Sequence, residues 1–453
     1  MPPAARRTRY AIVGTGSRAE MFVRALTGHH TDTAELVAFA DPNPARIDAH
    51  NRLLRRRGLS PVPGYVLDGE PVAQFVAMLD KEQVDTVLVT SMDRTHDDYI
   101  VAALDAGRDA VTEKPMTVDA PRCRRVLDAV ARTGREVRVT FNYRYNPVHE
   151  AVKRVLAAGE IGEIGSVHFE WLLDVRHGAD YFRRWHRDKA NSGGLMVHKA
   201  SHHFDLVNWW LAARPVEVYG SGRLFLYGEQ GTRHGYDRGY RRAHRAPEAA
   251  GDPFALHLAD HPRLRELYLD AERHDGYLRD VSVFAPGVTI EDDMAVLVRY
   301  DSGATMTYHL TAYAPWEGYR LMVNGSRGRL ELEVVESDRV DPVAATSRPD
   351  QSTSDSAALH GDAAATEQGG IRLAVRRFWE APREVEVPGY TRDGHGGADL
   401  RMAAALFAPD GRPDPLGRVA GARDGALALL TGLAANESFR TAAPVRVADL
   451  LPL

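Results

Sequence analysis

Lysine is scarce in this chain: five, at positions 81, 114, 153, 189 and 199, against fifty-two arginines. Arginine stays protonated at any working pH, whereas a desolvated lysine can give up and regain a proton, so a lysine here marks a place where arginine chemistry would not serve. Lys114 stands in Thr112-Glu113-Lys114-Pro115, and Lys199 in His198-Lys199-Ala200-Ser201-His202-His203-Phe204-Asp205. His198, His202 and Asp205 are spaced i, i+4 and i+7, which on one continuous helix gives a common face beside Lys199. Lysine of lowered proton affinity and histidine near its natural range are acid–base groups, and Lys114, His202 and His198 are the candidate catalytic residues. Two histidines four apart also suit a metal, but no third ligand stands out and no metal is expected. Cys123, the single cysteine, excludes an internal disulfide and a thiolate cluster.

These groups need a scaffold, and the N-terminal third supplies one. Residues 9–13 read as a buried strand, followed by Gly14-Thr15-Gly16-Ser17-Arg18-Ala19 and an amphipathic helix over 20–26. Gly14 permits the tight turn, Gly16 leaves room for a pyrophosphate, and Ala19 lets helix and strand approach, with the helix start facing the phosphates. A second strand, 35–40, ends in Asp41, placed to accept hydrogen bonds from a ribose. Asp41 argues for NAD, while Arg46, after Pro42-Asn43-Pro44, leaves NADP open. A third strand, 84–90, delivers Ser91 and His96 to the carboxyl edge of the sheet, and a helix over 97–106 follows. Strand 109–112 then delivers Glu113 and Lys114 to the same edge. Helix 120–132 and strand 136–141 complete a doubly wound sheet.

At 453 residues the chain predicts two domains, with 44% apolar residues to fill them. Its formal charge of −5, with acids and bases interspersed, shows no footprint for nucleic acid. No apolar stretch reaches membrane-spanning length and no secretory leader stands out, which predicts a cytoplasmic protein with a small-molecule partner.

With GTGSRA, ADPNP around Asp41, THDDYIVAALDAG, EKP and FNYRYNP in place, the chain resembles the Gfo/Idh/MocA oxidoreductases, named after glucose-fructose oxidoreductase and inositol dehydrogenase. The resemblance implies an N-terminal α/β Rossmann domain, 1–141, with a doubly wound parallel sheet. An α+β domain, 142–453, with a large open, mostly antiparallel sheet would follow it. It implies NAD or NADP bound between them, a sugar, polyol or related alcohol as substrate, and Lys114 beside the nicotinamide and reacting hydroxyl. A homodimer or homotetramer through the open sheet is implied too. The family's second-domain pattern is a glycine run, aspartate, three residues, histidine, two residues, aspartate. His202 and Asp205 match its last two members, and His198 replaces its first aspartate.

Cofactor contacts are therefore expected from Gly14, Thr15, Gly16, Ser17, Arg18, Asp41, Arg46, Ser91, His96, Glu113 and Lys114. The aromatic and basic run 176–187 reads as a substrate rim, because aromatic faces stack on sugar C–H patches and guanidinium groups bind hydroxyls or carboxylates. Tyr143, Arg144, Arg183, Trp185, His186 and Lys199 are the substrate candidates, with His395 from the glycine-flanked run 394–399. Residues 223–280 read as an insertion with a helix at 262–273, and 342–370 as a mobile loop. Strands are expected at 293–300, 304–311 and 319–324, and helices at 400–406 and 416–436.

The leading reading is an NAD-dependent oxidoreductase acting on a secondary hydroxyl of a sugar, glycoside or cyclitol. Two alternatives remain: a glycoside hydrolase that oxidises C3 transiently and recycles its NAD, and a non-catalytic sugar sensor.

Overall fold

The computed structural model describes residues 6–337, 339–340, 370–389, 397–409 and 411–453. The loop expected at 342–370, apart from Gly370, and His395 lie outside the described residues.

The first sheet is built from short apolar runs buried on both faces, the pattern of a parallel sheet covered by helices. Its strands are β1 (Thr8–Val13), β2 (Ala34–Asp41), β3 (Gly64–Val66), β4 (Thr86–Val89), β5 (Asp109–Thr112) and β6 (Val137–Val139), all parallel to their neighbours. The order is β6-β5-β4-β1-β2-β3, so the chain reverses direction across the sheet between β1 and β4. That switch point is where a doubly wound sheet binds ligands, and the glycine loop after β1 opens there.

The second sheet carries a different signature, one buried residue in two. In β9 (Asp293–Tyr300), Met294, Val296, Val298 and Tyr300 are buried while Ala295, Leu297 and Arg299 face out. Alternation of this kind leaves one face for the core and one for solvent or a partner. The other strands are β7 (Ile164–Asp174), β8 (Pro215–Arg223), β10 (Thr305–Ala314), β11 (Glu317–Gly325), β12 (Gly328–Ser337), β13 (Ile371–Arg377) and β14 (Arg383–Glu384). They run in the order β14-β13-β12-β11-β7-β10-β9-β8, and every described pairing but β7–β10 is antiparallel.

Two C-terminal pieces return to the first sheet. Helix Ala398–Phe407 lays Phe407 edge-on against Tyr10 and Phe22. The two-residue β15 (Ala420–Gly421) then caps the sheet, antiparallel to β6. The helix expected at 416–436 starts only at Ala422 and runs to Thr441, because the residues before it are drawn into that pairing. β16 (Val445–Arg446) finally joins β8.

The run 195–211 is not one helix. Helix Leu195–His198 ends at Lys199, and a second, Ser201–Leu211, begins after Ala200. His198 and His202 therefore do not share a continuous face, contrary to the spacing argument, and the break frees the carbonyl of His198. Helix Ala422–Thr441 packs against this break so closely that a Cβ on Gly432 would stand 2.3 Å from the carbonyl oxygen of Met196.

Arg144, expected at the substrate, is structural. Its guanidinium forms two hydrogen bonds to Asp205, at 2.6 and 2.8 Å, and one to Asp424 at 2.9 Å. Side-chain exposure is 3% for Arg144 and 1% for Asp205, so the pair is shielded from water and screening. It ties the segment just after the Rossmann domain to helices Ser201–Leu211 and Ala422–Thr441. Arg144→Met leaves Asp205 buried without its partner and is expected to lower unfolding free energy by about 3–5 kcal/mol, measured by urea denaturation. A loss below about 1 kcal/mol would contradict this role.

Candidate functional site

Between the two sheets lies a cavity of about 510 Å³ whose lining runs from Asp41 and Arg46, past Gly14, Gly16 and Ser17, to Lys114, His198 and His202. The size is that of a ligand cleft.

At one end the glycine loop behaves as its sequence requires. Gly14 has φ of +89°, and a Cβ there would meet Ser91 at 2.4 Å. Beside Gly16 an added Cβ would make an ordinary contact with the Tyr268 hydroxyl at 3.7 Å. The turn and the small residues Gly14 and Gly16 have the form of a dinucleotide cradle, with the Tyr268 hydroxyl over its Ser17 end. Asp41 lines the cavity while accepting from the backbone N–H and hydroxyl of Thr15 (2.6 and 3.0 Å) and from the N–H of Asn43 (2.7 Å). Thr15 is buried behind the carboxylate and braces it, so it does not itself line the cavity.

Sequence reasoning missed what the 223–280 segment contributes. It leaves the second sheet after β8 and lies across the cofactor end. Tyr268 accepts from the N–H of Ser17 at 3.1 Å and lies 3.0 Å from its hydroxyl oxygen. The Arg46 guanidinium sits 5.8 Å from both the Tyr268 and Tyr277 ring centres, pairs with Asp275 at 2.7 Å and lies 3.8 Å from Asp41. No local sequence signal marks these residues. Instead of one helix over 262–273 the chain makes a turn at Pro262–Leu264, a π-type turn at Arg265–Leu269 and a short helix at Glu272–Asp275.

At the other end the groups with chemistry converge. Lys114 Nζ donates to the carbonyl oxygen of His198 at 2.9 Å, joining the turn after β5 to the helix break described above. Burial pushes Lys114 down to about 8, against Asp93 and Glu113, whose charges favour the ammonium. Glu113 is held by Arg18 (2.7 Å), which also reaches Asp399 at 3.3 Å. His96 braces the same turn, with ring nitrogens 2.9 and 3.1 Å from the carbonyl oxygens of Pro115 and Ser91. Lys199 reaches the Tyr143 hydroxyl at 3.3 Å and lies 5.1 Å from the Trp171 ring centre, and His202 stacks on Tyr143 at 4.3 Å.

Trp185 and His186 line this end, but Arg183 does not; it is buried 4.0 Å from Asp180. Arg184 lines the cavity instead. Asp93, between Ser91 and His96 at the edge beyond β4, lies 2.5 Å from Nδ1 of His198. Burial, reinforced by Arg184 at His186 and by Lys114 at His198, holds both imidazoles well below the usual histidine range. One potential ligand atom from each of Asp93, His186 and His198 lies within 4.8 Å of the others, a trio the i, i+4 reading did not reach. No helix among the described residues is long and apolar enough to cross a membrane.

A Rossmann sheet whose carboxyl edge carries both a glycine cradle and a half-buried lysine, lining one cavity, defines an NAD-binding oxidoreductase. Comparison with known proteins gives the particular group. Residues 8–141 match the NAD-binding Rossmann fold, and residues 153–447 the C-terminal alpha/beta domain, of the GFO_IDH_MocA oxidoreductase family, and the chain belongs to that family. It is 33% identical to YteT of Bacillus subtilis (strain 168), named only as an oxidoreductase, over 97% of this chain and 98% of that protein. It is 28% identical to an inositol 2-dehydrogenase of Rhizobium meliloti (strain 1021) over 51% of this chain and 62% of that one. The fold is also that of the WlbA dehydrogenase from Bordetella pertussis, solved in complex with NADH and UDP-GlcNAcA, with a TM-score of 0.61 at 18% identity, covering 99% and 100% of the two chains.

Because Arg46 is already engaged by Asp275 and flanked by Asp41, a 2'-phosphate would meet two carboxylates there. The expected preference is NAD. Asp275→Ala should free Arg46 and lower the NAD-over-NADP ratio of kcat/KM about tenfold, the worth of one near-surface charge contact. An unchanged ratio would exclude Asp275 from cofactor choice.

Proposed function

We propose that this protein is an NAD-dependent oxidoreductase acting on a secondary hydroxyl of a sugar, glycoside or cyclitol. The observation that carries the reading is the placement of Lys114: half-buried, held against the His198 carbonyl, and lining one cavity with the glycine cradle, His198 and His202. Bound NAD supplies the two-electron acceptor for such chemistry. Lys114 and His202 share the reacting oxygen and carry its proton, while His198 and Lys199 orient the substrate. Tyr143, Trp185 and His186 shape its berth, their rings suited to the C–H faces of a polyol. The inositol 2-dehydrogenase name of one relative and the sugar nucleotide bound to WlbA support a polyhydroxylated substrate.

A second reading is favoured by the segment 262–277 lying across the glycine loop, which would slow cofactor exchange. In that reading the cofactor stays bound through the cycle, and the net reaction is hydrolysis of a glycoside after transient oxidation at C3. The two readings separate when the protein is incubated with NAD and a panel of sugars, cyclitols and aryl glycosides, following NADH absorbance and product mass together. NADH rising with a keto product supports the dehydrogenase, and aglycone release without net NADH supports recycling. Silence in both channels would favour a sensor.

Lys114→Met should lower kcat by about 10²–10⁴, the worth of a positioned acid–base group, while NAD binding by calorimetry changes little. Near-normal turnover would sink the assignment. We also assign a dimer or tetramer to the solvent face of the second sheet, where Tyr219 and Leu297 are paired and exposed. A monomeric mass by analytical ultracentrifugation at micromolar concentration would contradict it.

A further inference from the structure

We propose that Asp93, His186 and His198 form a site for one divalent first-row transition-metal ion, opening on the cavity beside Lys114. Their carboxylate oxygen and imidazole nitrogens all lie within 4.8 Å of one another. Two imidazoles and one carboxylate are a donor set that Zn²⁺, Co²⁺, Mn²⁺ and Fe²⁺ accept, and three protein ligands leave a position open.

The three residues come from separate places: the carboxyl edge beyond β4, the turn Trp185–Arg187, and the end of helix Leu195–His198. Local sequence does not bring them together; the closure of the two domains on each other does. All three line the same cavity. The rings are held before any ligand arrives. His186 stacks on Trp185 at 3.6 Å between ring centres and meets the edge of Tyr181, and His198 meets His186 edge-on at 4.2 Å. Nδ1 of His186 is buried with no hydrogen-bond partner among the described residues. A buried polar nitrogen left that way is costly, and most such groups in folded proteins are satisfied.

The charges around the trio leave its carboxylate available. Arg18 is committed to Glu113 and Asp399, Arg184 pairs with Asp180, and Lys114 donates to a carbonyl. Asp93 has no lysine or arginine within ion-pair distance among the described residues; its partner is His198. The Asp93 carboxylate oxygen and Nδ1 of His198 are 2.5 Å apart. Tetrahedral bonds of about 2.0 Å place ligand atoms roughly 3.3 Å apart, so the pair must open by under about 1 Å to admit an ion. The position left facing the cavity fits a hydroxyl of a vicinal diol or a carboxylate oxygen of a hydroxy acid. The ion would then hold an oxygen neighbouring the one that Lys114 serves.

The site does not depend on which alcohol is oxidised or on whether turnover occurs, and its test reads binding alone. Full-length protein freed of metal with a chelator is titrated with Zn²⁺ by calorimetry, and its metal content after dialysis is measured by mass spectrometry. One ion per chain is expected, with affinity at least about tenfold weaker in His186→Ala and in Asp93→Asn, and unchanged in His257→Ala, a histidine outside the cavity. Co²⁺ loading of the unaltered protein should give visible ligand-field bands of nitrogen and oxygen coordination, which carries the test even where a variant misfolds. Absence of binding tighter than roughly 0.1 mM, or binding that survives both variants, would overturn the site and leave Asp93 and His198 as a hydrogen-bonded pair only.

Discussion

An ammonium drawn partly out of water must be given acceptors, and the way this chain does so for Lys114 sets the geometry of everything around it. The acceptor is a backbone carbonyl in the other domain, that of His198. A carbonyl inside a helix is normally taken by the N–H four residues on; here that N–H, of His202, goes to Lys199, and the His198 carbonyl accepts from the Ser201 hydroxyl and from Lys114. The cleft is therefore closed by a contact that exists only because a helix is interrupted.

Other elements serve that contact. Helix Ala422–Thr441 lies against the interruption, with Gly432 nearly touching the Met196 carbonyl and Gly425 close to Met116 just beyond Lys114. One helix thereby backs both partners of the bond. Arg144 locks the same helix, through Asp424, to the helix that carries His202 and Asp205. His96 steadies the turn from the opposite side. Long-range packing has placed a rigid frame around a few groups whose ionisation matters.

Much of the first sheet was legible because its strands are continuous apolar runs ended by glycine or charge; the strand at 109–112 is found with the bounds the sequence predicts. The strand at 293–300 was equally plain, since strict alternation has no helical counterpart. Spacing alone misled at 198–205, where tertiary contacts outweighed the helical period and sent Asp205 to Arg144. The fate of Arg144 and Arg183 was illegible for a related reason: a buried arginine and a substrate arginine look alike until their partners are known. Asp93 had a visible signal, its position at the carboxyl edge beyond β4, but its histidine partner lies 105 residues away. Tyr268 and Asp275 had none, because a segment made of single turns carries no period to read.

The last strand of the first sheet, β15, is made from residues 420 and 421, whereas the strand it covers ends at Val139. A ribosome must therefore emit some 280 further residues before the edge of the cofactor domain is protected. Through that interval β6 presents unpaired backbone groups of the sort that recruit stray strands. The order of synthesis and the order of assembly differ in this protein. Loss of the chain from residue 420 onward would strip that edge of its cover.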